Sequence, residues 1–463
     1  MATMEIEWAT REFGDADVGD ARRTDRLVRV AAAAAARPAG RITDVMKAPA
    51  DRRGAFRLMG NRDAAPDEVA KAAHRACASA VRGQGFVFVP VDGSSLNITD
   101  LTREKDLGIV GPRWLGGTGL HVMSAIAVAP DGTPLGICGQ TWWARKGRAR
   151  RAKHDKRLVA SKETQHWLTV MQQVRDVFSE QAPTTRPWFQ LDRGGDAWPV
   201  VLDGLQPGQL FTVRVVHNRR LLSKQDEPRR YLWGRVESQA PLGRYSLPVP
   251  ARPRRAARTA CIEVRGCEVT LDMLDERTRG RHQATLWALL AREVGTAPSE
   301  EEAIEWLLLT THSVKTLADG KLVLFGYAQR WRIEDFHRLW KTGACNVEET
   351  QLRDREAIIR WATILASVAM RILRLTYLAR RQPELPATTE LTQTEVDAIV
   401  AITKPAGVRM GQPLPIGQVV LWLAEIGGYT GKSSGGPPGA IVIGRALKRI
   451  RILVDYLAGT RQM

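Results

Sequence analysis

The sequence predicts a mixed α/β fold, with a sheet-bearing central region flanked by helical segments at both ends. Alanine-rich helix formers fill residues 1 to about 75. Uninterrupted apolar runs of strand length then begin at Phe86 and alternate with a helical stretch, and the last quarter of the chain returns to helical periodicity. Strand runs separated by helical patterns are the signature of a sheet covered by helices. With 463 residues the chain exceeds the usual size of one hydrophobic core, so two or three domains are expected.

In chain order, "RRTDRLVRVAAAAAARPAG" is a helix closed by Pro38 and Gly40, and "PDEVAKAAHRACASAVR" opens with a proline and an acidic first turn. Between them "ADRRGAFRLMGNRDA" carries Arg52, Arg53, Arg57 and Arg62 beside Phe56, a small basic helical unit suited to phosphate contacts. "FVFVPVDGSSL" reads as a strand buried on both faces because it is a run rather than an alternation. "LHVMSAIAVAPDGTPLGICGQTWW" reads as a hairpin around Pro130-Asp131-Gly132. A helix, "SKETQHWLTVMQQVRDVFSEQ", and another strand, "RPWFQLDRGGD", follow. Residues from about 205 to 320 carry short β-like runs, among them "LFTVRVV", "YLWGRV" and "EWLLLTT", and read as a β-rich insertion. "YAQRWRIEDFHRLWKTG", Tyr327 to Gly343, has no breaker before its final glycine and reads as one helix. "REAIIRWATILASVAMRILRLTYLARR" reads as a long amphipathic helix, Pro383 and Pro386 as a linker, and the remainder as helical. The resulting domains are a helical unit over 1–75, a catalytic unit over 76–370 with its insertion, and a helical unit over 371–463.

Composition narrows the partner. Lys and Arg exceed Asp and Glu by 68 to 50, a net charge of +18, which implies attraction to a polyanion. No run of eighteen apolar residues exists and the N-terminus lacks a secretory signal, so a cytoplasmic nucleic-acid partner is expected over a membrane. The run "RKGRARRAKHDKR", with eight Lys or Arg in thirteen residues, agrees with DNA. Five cysteines without a CxxC pair indicate neither zinc nor disulfides, and reduced, mostly buried thiols are expected. "GYTGKSSGG" lacks the glycine spacing and preceding strand of a phosphate loop and reads as a flexible loop.

Two carboxylates stand at strand ends: Asp92 after "FVFVPV" and Asp192 after "WFQL". Open α/β sheets place their sites at the carboxyl ends of such strands, although an acidic residue there is also an ordinary turn former. A third stands in the Tyr327–Gly343 stretch. At ~100° per residue Tyr327, Arg330, Glu334 and Lys341 fall within roughly a 60° sector, flanked by His337 and Arg338. A salt-bridged surface face is the structural alternative, but such faces rarely interleave Trp331, Phe336 and Trp340 with their charges. Trp331 and Trp340 are expected to pack into the core behind the stripe. Three carboxylates from two strands and a helix could hold two Mg²⁺ ions for in-line displacement at phosphorus.

These residues resemble the DDE transposases of bacterial insertion sequences, in the IS-four group that includes the Tn-five type. The Tyr-(2)-Arg-(3)-Glu-(6)-Lys signature falls on Tyr327, Arg330, Glu334 and Lys341, and "GDARRTDRL", "RGAFRLMGN", "DGSSL", "QTWWAR", "DRGGD" and "WLLLT" follow the family in order. The resemblance implies an RNase H-like catalytic core in which Asp92, Asp192 and Glu334 bind two Mg²⁺, with Mn²⁺ as a substitute. It implies that Tyr327, Arg330 and Lys341 hold phosphates of the transposon end, and that Arg193 and Arg214 are further DNA contacts. Trp306 corresponds to a tryptophan that stacks an extruded base, and Arg26 and Arg57 to the end-recognition region. The activity implied is cut-and-paste transposition: cleavage at inverted repeats through a hairpin, then joining of the 3′ ends to target DNA. A homodimer holding two ends, working in the bacterial cytoplasm at the nucleoid, is implied as well. "DRGGD" and "ETQHW" depart from the family's usual blocks without touching the three carboxylates. A two-metal nuclease without strand transfer, or a non-catalytic regulator of transposition, are the alternatives.

Overall fold

In the computed structural model the described residues are 4–111, 116–145, 163–222, 231–249, 257–275, 278–295, 303–431 and 436–460. Most of the basic run at 145–157 and the centre of "GYTGKSSGG" lie outside them. Five helices open the chain: α1 (Met4–Phe13), α2 (Ala21–Ala36), α3 (Ile42–Val45), α4 (Pro49–Met59) and α5 (Pro66–Ala80). Asp20 caps α2 by accepting from Arg23 N at 2.9 Å, and prolines occupy the first turns of α4 and α5, where the missing N–H costs nothing.

The central region forms β1 (Phe86–Asn97), β2 (Gly108–Ile109), β3 (Thr118–Val128), β4 (Pro134–Trp143), α6 (Thr164–Gln181), β5 (Arg186–Leu191), α7 (Trp198–Gly204), β6 (Leu210–Arg214), α8 (Leu232–Glu237), β7 (Gly243–Val249), β8 (Arg258–Leu274), β9 (Arg281–Val294) and β10 (Glu305–Thr310). Among the described residues the strands make one ten-stranded mixed sheet in the order β2-β3-β1-β5-β6-β10-β9-β8-β7, with β4 pairing β3. β1, β5 and β6 are mutually parallel and the other pairings antiparallel. The strands expected between 205 and 320 therefore continue the central sheet through β6 and β10. "YLWGRV" departs from expectation: it is the short helix α8, with Leu232 and Val236 buried. Those two residues lie i, i+4, a spacing that serves a buried helix face as well as a strand.

Both faces of β1 are covered. Val87, Val89 and Val91 pack with α6, whereas Phe88 and Leu96 join the core formed with the C-terminal helices. Those helices are α9 (Leu317–Ala328), α10 (Trp331–Lys341), α11 (Arg355–Arg381), α12 (Gln393–Thr403), α13 (Ile416–Ile426) and α14 (Ala440–Thr460). A Cβ at Gly326 on α9 would stand 2.4 Å from Phe88, so only glycine lets this helix lie so close over β1.

α11 is not amphipathic as expected but buried nearly all round, as a helix becomes when other elements surround it. Its Trp361 donates to the Gly40 carbonyl at 2.6 Å and its Arg360 to the Met59 carbonyl, which ties the N-terminal helices to it. The segment after Pro383 is also no free linker, since Ala387 N donates to Leu414 O at 2.8 Å and Leu391 is buried. α14 closes over α12, α13 and α11 through Ile443, Ala446, Leu447 and Ile450, leaving Ile452 and Tyr456 exposed. Of the cysteines, Cys77, Cys138 and Cys345 are buried, Cys267 half-buried and Cys261 exposed, and all are free thiols. Among the described residues no helix is long and apolar enough to cross a membrane.

Candidate functional site

Register brings the first two carboxylates together. Val91 on β1 pairs with Leu191 on β5, and Leu191 with Val213 on β6, all in parallel. The next residue on each strand path is Asp92, Asp192 and Arg214, so two carboxylates and an arginine stand at equivalent positions of three neighbouring strands. β5 and β6 stop there, but β1 runs on to Asn97 against β3, so Asp92 lies within its strand and not at its end as expected. Asp192 leaves β5 into a 3₁₀ turn, accepting from Gly194 N at 2.7 Å, and Asp92 accepts from its neighbour Gly93 N at 2.8 Å.

The third carboxylate arrives on α10, but not on one continuous helix. Tyr327 closes the buried run of α9, Gln329 and Arg330 form a tight turn, and α10 begins at Trp331. In this turn Arg330 N bonds Tyr327 O (3.0 Å) and Ile333 N bonds Arg330 O (3.1 Å), both spanning three residues. Every residue of the turn keeps helical dihedrals or local bonding, which is why the sequence carries no breaker. Gln329 adds a side-chain bond to Phe325 O at 2.9 Å that competes with the regular ladder.

Arg330 is the centre of the site. Its side chain is 9% exposed, with Nη2 2.6 Å from Glu334 Oε1 and Nη1 3.5 Å from Asp92 Oδ2. Burial pushes the Asp92 carboxyl up to about 7, the negative charges of Asp192 and Glu334 push the same way, and Arg330 and the Gly93 N–H oppose them. The Tyr327 hydroxyl, buried, is raised by desolvation and lies in electrostatic reach of Arg330, Arg214 and Asp192. Asp92, Asp192, Glu334, Tyr327, Arg330 and Arg214 thus form one cluster.

The remaining residues spread outward from it. Trp306 on β10 is half-buried and meets Tyr327 edge to face, with centroids 5.2 Å apart. Arg214 donates to the Glu305 carbonyl at 3.2 Å, and Arg193 is exposed on the 3₁₀ turn. Lys341 ends α10 beside Glu348 (3.8 Å), which in turn accepts from Asn97 N, and so stands near the far end of β1. Trp340 is fully buried with its Nε1 on Ala362 O, as expected, but Trp331 is not: it is 47% exposed, with the Arg330 guanidinium 5.2 Å from its ring. The turn before α10 rotates Trp331 away from the core side. His337 faces the core, where burial holds it neutral at about 3. Arg26 and Arg57 lie elsewhere, on the N-terminal helices. A Cβ at Gly54 would fall 2.2 Å from Arg26 Nη1, so the Arg26 guanidinium rests on α4, whose last turn carries the exposed Arg57.

Sequence reasoning missed Asp196, fully buried and holding Arg219 and the Val216 N–H (2.7 Å) just behind Asp192. It also missed the row Asp92-Ser124-Gln140, cross-strand partners on β1, β3 and β4. The second aspartate of "DRGGD" was the only local signal for the first, and pairing register is not local.

The donor set is three carboxylates, hard oxygen ligands of the kind Mg²⁺ takes. Burial raises Asp92 most, and repulsion from Asp192 and Glu334 adds to it; that repulsion is what a bound cation would relieve. Donor chemistry therefore fits, while the positions are those of a guanidinium-bridged cluster: among the described residues no three His, Cys, Asp or Glu stand close enough to share an ion. Residues 5–64, which span α1 to α4, match a family model described as transposase DNA-binding. The N-terminal helices thus carry a transposase DNA-binding domain, and the match supports a DNA-binding transposase.

Proposed function

We propose that this chain is a cut-and-paste DNA transposase of the DDE type, with an RNase H-like core and the Tn-five kind of reaction course. The observation that carries the proposal is the convergence of Asp92 and Asp192, at matched positions of adjacent parallel strands, with Glu334 on the helix bridged to Asp92 by Arg330. Asp92, Asp192 and Glu334 would hold Mg²⁺, or Mn²⁺ in its place, and the ion would supply charge stabilisation and an activated water or 3′ hydroxyl at the scissile phosphate. Asp192 is kept oriented by its own capping bond to Gly194 N, and the Gly93 N–H holds one oxygen of Asp92.

Around the carboxylates the chain supplies the positive wall that a DNA strand needs. Arg330, Arg214 and Arg193 beside the carboxylates, and Lys341 toward the far end of β1, would offer guanidinium or ammonium groups to phosphates, and the Tyr327 hydroxyl would add a donor. Trp306, half-buried against Tyr327, would offer one face to an unstacked base at the cut end. Arg26 and Arg57 would read transposon-end DNA from the N-terminal helices. Cleavage through a hairpin, joining of 3′ ends to target DNA, and a homodimer that pairs two ends complete the reading, the exposed Ile452 and Tyr456 of α14 being available to a second copy. The place of action would be the nucleoid in the bacterial cytoplasm.

The test is Glu334→Gln with DNA carrying the inverted repeats that flank the gene, in Mg²⁺. Expected is retained end binding with cleavage lost by several orders of magnitude; cutting at the wild-type rate would refute the assignment. Wild-type protein given pre-cut ends and target DNA should join them, whereas a nuclease would not.

A further inference from the structure

A concavity of about 480 Å³ lies between α5 and α6, beside the edge strand β4. Its charge opposes that of the molecule. Asp67 and Glu68 from the first turn of α5 form one wall, and the exposed Asp176 and Glu180 of α6 form the other. Its two cations are already engaged: Lys71 with Glu68 at 2.7 Å and Arg75 with Asp15 at 2.6 Å. On a chain with a net charge of +18 such a surface repels DNA and attracts cations.

Three polar atoms of its lining side chains have no hydrogen-bond partner among the described residues: His74 Nε2, Gln140 Oε1 and Gln173 Oε1. His74 and Gln140 are only 6% and 4% exposed, where unpaired polar atoms are costly and call for a partner. Gln140 spends its amide nitrogen on Ser124 Oγ (3.2 Å), which leaves the carbonyl oxygen as its open end. Burial keeps the His74 ring neutral, so one ring nitrogen is an acceptor. Acceptors in the floor and carboxylates on both walls demand a ligand rich in N–H donors and positive charge. The carboxylates stand on two separate walls, one from α5 and one from α6, so the match is an extended organic cation.

The geometry points to this cavity as a binding site for a small aliphatic diamine or polyamine, its ammonium ends at the two acidic walls and its N–H groups on Gln140, Gln173 and His74. The volume lies within the range of small-molecule sites. Ser124 is the cross-strand partner of both Gln140 and Asp92, so the floor of this cavity stands two strands from the carboxylate cluster.

The experiment is calorimetric titration of the full-length, DNA-free protein with putrescine and with spermidine at about 0.15 M salt, where diffuse charge attraction is largely screened. Saturable one-to-one binding is expected, with Gln140→Leu and the double variant Asp176→Asn, Glu180→Gln each weakening it about tenfold, and with MgCl₂ at equal ionic strength failing to displace the amine. Absence of saturable binding up to about 10 mM amine, well beyond the weakest affinity that a specific site warrants, overturns the proposal. So does binding that neither variant weakens, or that MgCl₂ removes. Should Gln140→Leu not fold, the double variant at exposed positions decides alone.

Discussion

Asp92 is a carboxylate held where ionisation is unfavourable, and Asp92→Asn should therefore stabilise the metal-free protein. Its pKa in the folded protein is raised from 3.8 to about 7. At roughly 1.36 kcal/mol for each tenfold change in proton affinity, the rise from 3.8 to about 7 sets a ceiling of about 4 kcal/mol. The side chain is 21% exposed and Arg330 stands 3.5 Å away, so water and a nearby cation screen part of this; about 2 kcal/mol is the working magnitude. The sign follows from proton binding. The folded state holds this proton more tightly than the unfolded state, so wild-type stability falls as pH rises from about 4 to about 7 and is level above that. Asparagine keeps the shape and removes the charge. At pH 8 in a chelator, thermal scans should place Asp92→Asn above wild type by a few degrees, and at pH 5 less than half of that gain should remain. Adding Mg²⁺ at pH 8 should raise the wild-type midpoint and narrow the gap, because an ion that binds only the folded carboxylates stabilises it. Equal midpoints at pH 8, or a gain independent of pH, would refute the reasoning.

Other perturbations read out separate parts of the molecule. Asp196→Ala strips the buried partner from Arg219 and two backbone N–H groups, and should lower stability by about 3 kcal/mol in denaturant titrations. Gly54→Leu drives a side chain into the space of the Arg26 guanidinium; end-DNA affinity in a gel-shift assay should fall severalfold while the melting profile of the central sheet is kept. Trp361→Phe loses the bond to Gly40 O in a buried setting and should cost about 1–3 kcal/mol, detected as earlier proteolysis of the N-terminal helices. The logarithm of DNA affinity should fall linearly with the logarithm of salt concentration, and Arg193→Ala or Arg57→Ala should each reduce that slope by about one.

What the sequence by itself determined is what local pattern encodes. Apolar runs marked β1, β3, β4 and β5, and the residue after two of those runs is the carboxylate, because the apolar run stops where the cover on both faces of the strand stops, at the end of β5 and within the longer β1. The proline and acidic first turn that open α5 were equally plain, as first turns depend on neighbours a few residues away. The tertiary structure alone decided the rest. It set Asp92 beside Asp192 through the pairing of Val91 with Leu191, residues a hundred positions apart in the chain. It bent the Tyr327–Gly343 stretch at Gln329 and Arg330 without any proline or glycine, which turned Trp331 outward and Arg330 inward. It surrounded α11 with helices and sheet, so that a stripe read as amphipathic became a buried shaft. And it brought Asp92 to the Arg330–Glu334 pair: that pair is the i, i+4 spacing legible in the sequence, whereas the reach of the same guanidinium to Asp92 is set by packing alone.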